Sequence, residues 1–297
     1  MKVVVAGASG LIGRALVAAL RERGHEVLPL VRRLPVDDHE IFWNPAAREL
    51  DASRLEGVDA VVNLAGENIA GGRWTASRRE KILRSRVDAT QTLVTACARL
   101  ARKPAVFLSA SAVGYYGDAG DAELSESAPA GLGFLPEVSM IWETNAEGAA
   151  RAGMRTVLLR FGVVLAREGG ALAKMLPIFR LGFGGRLGEG KQWMSWVSLT
   201  DAVGAILHAL GDSRCQGPIN VVAPAPVTNA EFTKTLAARL GRPALFPVPK
   251  WVLRLVFGEM ADATLLVSIR ALPGRLQATG FRFRHETLDA ALQAELG

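Results

Sequence analysis

The sequence predicts an α/β fold in which a doubly wound parallel sheet is followed by a smaller C-terminal mixed α/β region. Three observations predict it. The chain opens on a short apolar run that breaks into glycines at positions 7, 10 and 13 and then into a helical pattern. Strand and helix patterns alternate from there through residue 165. The strand segments are continuous β-branched runs, as strands covered on both faces require.

Residues 2–6 read as a buried strand and residues 11–23 as an apolar-periodic helix. Between them Gly7 makes a tight turn, Gly10 lets backbone approach a pyrophosphate, and Gly13 lets helix and strand pack closely. A diphosphate then meets the helix N-terminus, where unpaired N–H groups and the dipole favour negative charge. The opposing reading is a glycine turn that binds nothing. A second strand, residues 25–31, ends at Arg32 and Arg33. An acidic residue there would accept from a ribose 2′-OH, whereas a guanidinium fork suits a 2′-phosphate. Asp37 and Asp38 fall beyond Pro35 in the loop, so the pattern favours NADP over NAD; a solvated basic strand end is the alternative.

Residues 58–64 form the next strand, 77–100 a long helix, 105–110 a buried strand, 135–152 a helix and 155–161 a strand. Their ends near 7, 32, 64, 110 and 161 should share one sheet edge, where ligands bind in such folds. Residues 1–165 are thus expected to be a Rossmann-type dinucleotide-binding core. Residues 166–297 are expected to be mainly a substrate-binding or lid region, with segments able to return to the core. Within it 171–181 and 200–210 read as helices and 218–222 as a strand. Thr228 with Glu231 forms a capping box opening a helix through Leu240. Residues 250–296 are mixed.

The formal charge of +6 is spread along the chain, without the basic and aromatic stripe that nucleic acid binding calls for. The first strand begins at residue 2 without a basic leader, and no 18-residue apolar stretch is free of charge, so neither a secretory signal nor a membrane span is expected. Cys97 and Cys215 lack redox or metal spacing, and a reducing cytoplasm is the expected compartment. The histidines at 25, 39, 208 and 285 are dispersed, and no metal is expected.

Chemistry concentrates in residues 109–118, SASAVGYYGD, which leave a buried strand at its ligand end. Ser109, Ser111, Tyr115 and Tyr116 can orient a carbonyl or alcohol beside a nicotinamide, and a tyrosine of lowered pKa can exchange a proton with it. A serine-rich turn stabilised by its own hydroxyls is the competing explanation. Glu67, Asn68, Arg73 and Trp74 can wall a pocket after the third strand. Arg186, Lys191, Gln192, Trp193 and Trp196 can form a lid facing an acidic or planar small-molecule substrate, unless both tryptophans pack between domains. Asp201 reads as a helix cap.

The glycine pattern, Asn63-Leu64-Ala65-Gly66 and the serine segment resemble the extended short-chain dehydrogenase/reductases, the NAD(P)-dependent epimerase/dehydratase superfamily. The runs NLAGENIAGGRW, LLRFGVVLAREGGAL, GGRLGEGKQWMSW and GEMADATLLVSIRALPGRL are similar to an atypical epimerase-like branch of it, along essentially the whole chain. The resemblance implies an NADP-binding, oxidoreductase-like protein. It puts Gly7, Ser9, Gly10, Leu11, Ile12 and Gly13 around the diphosphate, Arg32 at the 2′-phosphate, and Leu64, Ala65 and Gly66 beside the adenosine and ribose. It also puts Ser109 near the nicotinamide, Ser111 in the catalytic-serine position and Arg160, counted with the cofactor-binding residues, with Gly162 at the strand end before the substrate loop.

One departure is plain. The family pairs Tyr-x-x-x-Lys on a helix, the lysine lowering the tyrosine pKa. Here Ala119 and Gly120 stand four residues past the two tyrosines, and Leu135 and Ser139 occupy the corresponding helix positions. Arg86 replaces another polar helix residue of the family. Tyr116, Tyr115, Glu143 and Glu137 are the candidate replacement acids. The sequence thus supports an NADP(H)-dependent epimerase-like oxidoreductase acting on a small polar metabolite. A nonenzymatic NADP(H)-binding regulator or sensor, or a scaffold with a vestigial site, is the alternative.

Overall fold

The computed structural model describes residues 1–297 and is built on one eight-stranded sheet. Its strands are β1 (Lys2–Ala6), β2 (Glu26–Val31), β3 (Ile41–Asn44), β4 (Glu49–Leu50), β5 (Ala60–Asn63) and β6 (Val106–Ala112). After β7 (Glu123–Leu124), β8 (Arg155–Phe161) and, much later, β12 (Gly217–Val221) complete it. The order is β12-β8-β6-β5-β1-β2-β3-β4, parallel throughout except for the β3–β4 pair. The direction of winding reverses between β1 and β5, and the crevice above that switch point is where such sheets bind ligands.

Sequence reading passed over β3 and β4. Only four residues alternate in β3 before Pro45 interrupts, too few for a periodic signal. The pairing with β2 supplies the order that local pattern does not.

The two-residue pleat sorts side chains by face. Val3, Val5, Leu108 and Leu159 pack against α1 (Leu11–Glu22) and α5 (Leu199–Gly211), meeting Leu16, Leu20 and Ile206. Val4, Val61, Phe107 and Leu158 face α2 (Ala76–Ala98) and α3 (Phe134–Arg151), meeting Leu93, Ala96 and Ala146. By the same alternation Ser109 and Ser111 of β6, Arg160 of β8 and Asn220 of β12 all belong to the α2–α3 face.

Past residue 162 the chain forms β9 (Val163–Ala166), α4 (Gly170–Arg180), β10 (Trp193–Met194) and β11 (Trp196–Ser198). β13 (Val227–Thr228), α6 (Asn229–Arg239), α7 (Lys250–Phe257), β14 (Arg270–Ala271), α8 (Gly274–Ala278) and α9 (Leu288–Leu296) follow. Leu172, Phe179, Trp196, Phe232, Leu236 and Leu292 make a separate core among these elements. α5 and β12 belong to the main sheet layers instead, so this stretch is shared between core and appendage. The capping box Thr228–Glu231 is present. Asp201 has another task than the cap expected of it. Ser198 caps α5, while the Asp201 carboxylate accepts from the backbone N–H of Arg284 (2.8 Å) and His285 (2.9 Å), tying the C-terminal segment to the helix.

Candidate cofactor and active site

The turn between β1 and α1 has the shape its glycines require. Gly7 has φ +78°, and a Cβ there would stand 2.7 Å from the Leu64 carbonyl group. A Cβ on Gly13 would stand 2.1 Å from the Gly7 carbonyl oxygen, so this glycine sets how closely helix meets strand. Gly10 differs: its φ is −74° and a Cβ would touch only the Gly7 oxygen, at 3.3 Å. The fold itself therefore demands glycine at 7 and 13, whereas at 10 the room is left on the outer side of the turn. Gly10 is the N-cap of α1, without a side-chain cap and without an acidic residue in the first turn. The leading N–H groups of the helix thus have no partner within it, the arrangement an anionic diphosphate fits. The residues present fit a dinucleotide.

At the end of β2 the two arginines part ways. Arg33 is bound through both terminal guanidinium nitrogens, Nη1 and Nη2, to Glu40 at 2.6 Å. Arg32 is exposed and has no carboxylate or hydrogen-bond partner in the protein. Leu64 N–H donates to the Ala6 carbonyl at 2.9 Å, and Leu64, Ala65 and Gly66 leave the end of β5 beside the glycine turn. Behind Gly66 lies Arg86, which donates to the carbonyls of Glu67 (3.1 Å) and Ile82 (2.9 Å) and stands over the Trp142 ring. Burial lowers its guanidinium pKa to about 10, against the pull of the Glu67 carboxylate.

On the α2–α3 face, β-sheet register aligns polar residues of neighbouring strands: Ser111 beside Arg160, and Arg160 beside Asn220. Glu143 of α3 lies over them. Ser111 Oγ donates to Glu143 Oε1 at 2.6 Å, and Arg160 holds both carboxylate oxygens, Nε to Oε1 at 2.8 Å and Nη2 to Oε2 at 2.7 Å. Arg160 Nη1 donates to the Tyr116 hydroxyl (3.0 Å) and the Glu126 carbonyl (3.2 Å), and Tyr116 donates to Asn220 Oδ1 at 2.7 Å. Burial disfavours the Arg160 charge, but its bonds to Glu143 and Tyr116 outweigh that and raise its pKa. Burial likewise pushes the Tyr116 phenol upward, partly offset by Arg160. The Tyr115 ring lies on the Arg160 guanidinium, 3.6 Å from its centroid, and its own hydroxyl forms no hydrogen bond in the protein.

This arrangement revises several expectations. All three nitrogens of Arg160 are engaged inside the protein, with Glu143, Tyr116 and the Glu126 carbonyl. Tyr116 is not a free acid: its hydroxyl is buried between Asn220 and Arg160. Glu143 is buried, its carboxylate taken up by Ser111 and Arg160. Glu137 is exposed in the first turn of α3 and outside the cluster. Ser109 is buried, its hydroxyl turned to the Ala110 carbonyl at 3.3 Å. Leu135 does stand near the serine turn, in contact range of Gly114. The proposed lid divides: Trp196 is fully buried in the appendage core, while Trp193 is half-buried and donates to Asp121 at 2.9 Å. Gln192 is pinned to the carbonyls of Leu187 and Leu265. Of the residues expected to wall a pocket, Trp74 meets Phe134 edge-on, and Arg79 covers that ring while pairing with Glu259 at 3.0 Å.

Sequence reasoning missed Asn220, Glu126, and the buried chain in which Asn63 and Trp142 both donate to Thr90 Oγ1. A polar residue inside an apolar strand, as at Asn63 and Asn220, is the signal that marks such positions. No group of three potential metal ligands occurs, and no helix is long and apolar enough to cross a membrane.

Comparison with known proteins agrees with this architecture. The model of the NAD dependent epimerase/dehydratase family matches residues 3–222, and that of a domain of unknown function (DUF1731) matches residues 248–295. An epimerase family protein of Mycobacterium bovis is 46% identical over 290 residues, 98% of this chain and 96% of its own. The human epimerase family protein SDR39U1 is 40% identical over 296 residues, 99% of each chain. The crystal structure of its isoform 2 with NADPH is similar at a TM-score of 0.92 and 38% identity, over 99% of each chain. A nucleoside-diphosphate sugar epimerase from Corynebacterium glutamicum is similar at a TM-score of 0.82 and 37% identity, this chain spanning 58% of that one.

Proposed function

The chain belongs to the NAD dependent epimerase/dehydratase family, and from that premise we propose that it is an NADP(H)-dependent, epimerase-like oxidoreductase acting on a small polar metabolite. The observation that carries the reading is the pairing of an open glycine cradle at the β1–β5 switch point with a serine at the end of β6 on the same sheet edge. Gly7, Ser9, Gly10, Leu11, Ile12 and Gly13 would hold the diphosphate, and Leu64, Ala65 and Gly66 the adenosine side. Arg32 would take the 2′-phosphate, because Arg33 is already committed to Glu40. The human relative crystallised with NADPH supports that choice of cofactor.

When bound, the nicotinamide would supply or accept a hydride. The chain's own part is to place the reacting oxygen at Ser111 and to hold that serine through Glu143 and Arg160. Tyr115, with its unengaged hydroxyl, is the tyrosine left to exchange a proton. The C. glutamicum epimerase makes nucleoside-diphosphate sugars the first substrates to assay.

Two substitutions test the reading. Arg32→Ala should weaken NADPH at least tenfold more than NADH in calorimetry, since only the former carries the extra phosphate; equal losses would remove Arg32 from its role. Ser111→Ala should lower turnover more than cofactor affinity. The second reading, a nonenzymatic NADP(H) sensor, is favoured by Leu135 and Ser139 standing where the family keeps its acid and lysine. Tight cofactor binding without turnover over a panel of sugar nucleotides, alcohols and carbonyls would select it.

A further inference from the structure

Ser111 has one hydroxyl hydrogen, and the heavy-atom contacts around its Oγ point to where it goes. The neighbouring Glu143 carboxylate receives two parallel bonds from Arg160, at 2.8 and 2.7 Å, the geometry of an ionised carboxylate held by a guanidinium fork. An ionised carboxylate only accepts. The 2.6 Å contact between Ser111 Oγ and Glu143 Oε1 must therefore use the serine's hydrogen. Ser111 is 3% exposed and no protein group donates to its Oγ, so its lone pairs are what it can offer a ligand admitted at the end of β6.

We propose that Ser111 serves this site as a hydrogen-bond acceptor and that Glu143, a positioning residue anchored by Arg160, fixes it so. It follows that the resting site recognises a substrate oxygen that still carries its hydrogen, an alcohol, in preference to a carbonyl. This rests on the oxidoreductase reading given above and adds the redox state of the substrate it takes. A carbonyl oxygen has no hydrogen to give and would face lone pair against lone pair. An ammonium group is a poorer fit than a hydroxyl, because Arg160 already neutralises Glu143 and no net negative charge remains to attract a cation. Register makes the device rigid: Ser111 and Arg160 are direct neighbours on β6 and β8, and α3 packs Glu143 against both strands.

Neutron diffraction from deuterium-exchanged crystals of the whole chain, with and without NADP+, locates the Ser111 deuteron directly. It is expected on the line from Oγ to Glu143 Oε1 in both. A deuteron turned away from Glu143, or one carried by Glu143 itself, would overturn the proposal. A variant gives a second readout. In Glu143→Ala no acceptor remains opposite Ser111, and the serine's hydrogen is free to turn outward. With NADPH bound, the ratio of cyclohexanone to cyclohexanol affinity, read from nicotinamide fluorescence, should rise about tenfold over the parent, the worth of one hydrogen bond. An unchanged ratio in a variant with native circular dichroism would count against it; if that variant fails to fold, the neutron result on the parent decides alone. Failure of the parent to bind NADPH in calorimetry refutes the oxidoreductase reading and leaves the deuteron position as an independent result.

Discussion

Two glycines three residues apart should respond in opposite ways to the same added methyl group. In Gly13→Ala the new Cβ would lie 2.1 Å from the Gly7 oxygen, 2.8 Å from the Ala8 Cα and 2.9 Å from the Gly7 carbonyl carbon. Ordinary C···O contact begins near about 3.3 Å, so α1 must retreat by roughly 1.2 Å. Retreat loosens Leu16 and Leu20, which are fully buried against β1. Overpacking of this kind costs about 3 kcal/mol, and at about 2–4 °C per kcal/mol for a large domain Tm should drop by roughly 6–12 °C. In Gly10→Ala the only contact is at 3.3 Å and φ is −74°, open to any residue. Stability should change by no more than about 1 kcal/mol. The methyl would occupy the ground across which a diphosphate meets the helix N–H groups, and losing two charge-assisted bonds of about 1.5 kcal/mol each weakens NADPH about 100-fold. Thermal unfolding of the unliganded variants and calorimetric titration with NADPH separate the two effects. Gly10→Ala with an unchanged Kd would refute the placement of the diphosphate, and Gly13→Ala with an unchanged Tm would refute the packing argument.

Other consequences follow from the buried network. Arg160→Leu would strand the Glu143 carboxylate and should cost about 3–5 kcal/mol in urea unfolding. Tyr116→Phe removes the donor to Asn220 Oδ1 and should cost about 1–3 kcal/mol, whereas Tyr115→Phe should leave stability unchanged and act only on turnover. Burial pushes the Cys97 thiol from the ordinary 9.0 up to about 12. A raised folded-state pKa means this contribution is fully present below pH 9 and is lost as pH rises toward 12, at about 1.4 kcal/mol per pH unit. Unfolding free energies measured across that window should fall less steeply in Cys97→Ala than in the parent, the Tyr116 phenol and Cys215 thiol, also pushed upward by burial, keeping part of the slope in both.

Strand, glycine turn and helix at the N-terminus were legible in the sequence because each requirement there is local. A positive φ at Gly7, a close approach at Gly13 and a run of apolar residues all act within a few positions of chain. Arg32 was legible for the same reason, as the residue that ends a strand. The sequence also placed Ser111 at the sheet edge, since the end of β6 follows from its own apolar run. It left open which of two adjacent tyrosines has a free hydroxyl, and it did not foresee that Arg160 holds Glu143. Those outcomes depend on partners far along the chain: Ser111 meets Glu143 32 residues on, and Tyr116 meets Asn220 104 residues on. Parallel register between β6, β8 and β12 brings them together, and one residue of slip would send each to the other face of the sheet. A residue type states what a side chain can bond to, and local pattern states which element carries it. Which bond it makes, and so which atoms are left for a ligand, was decided only when three strands and α3 closed around one buried carboxylate.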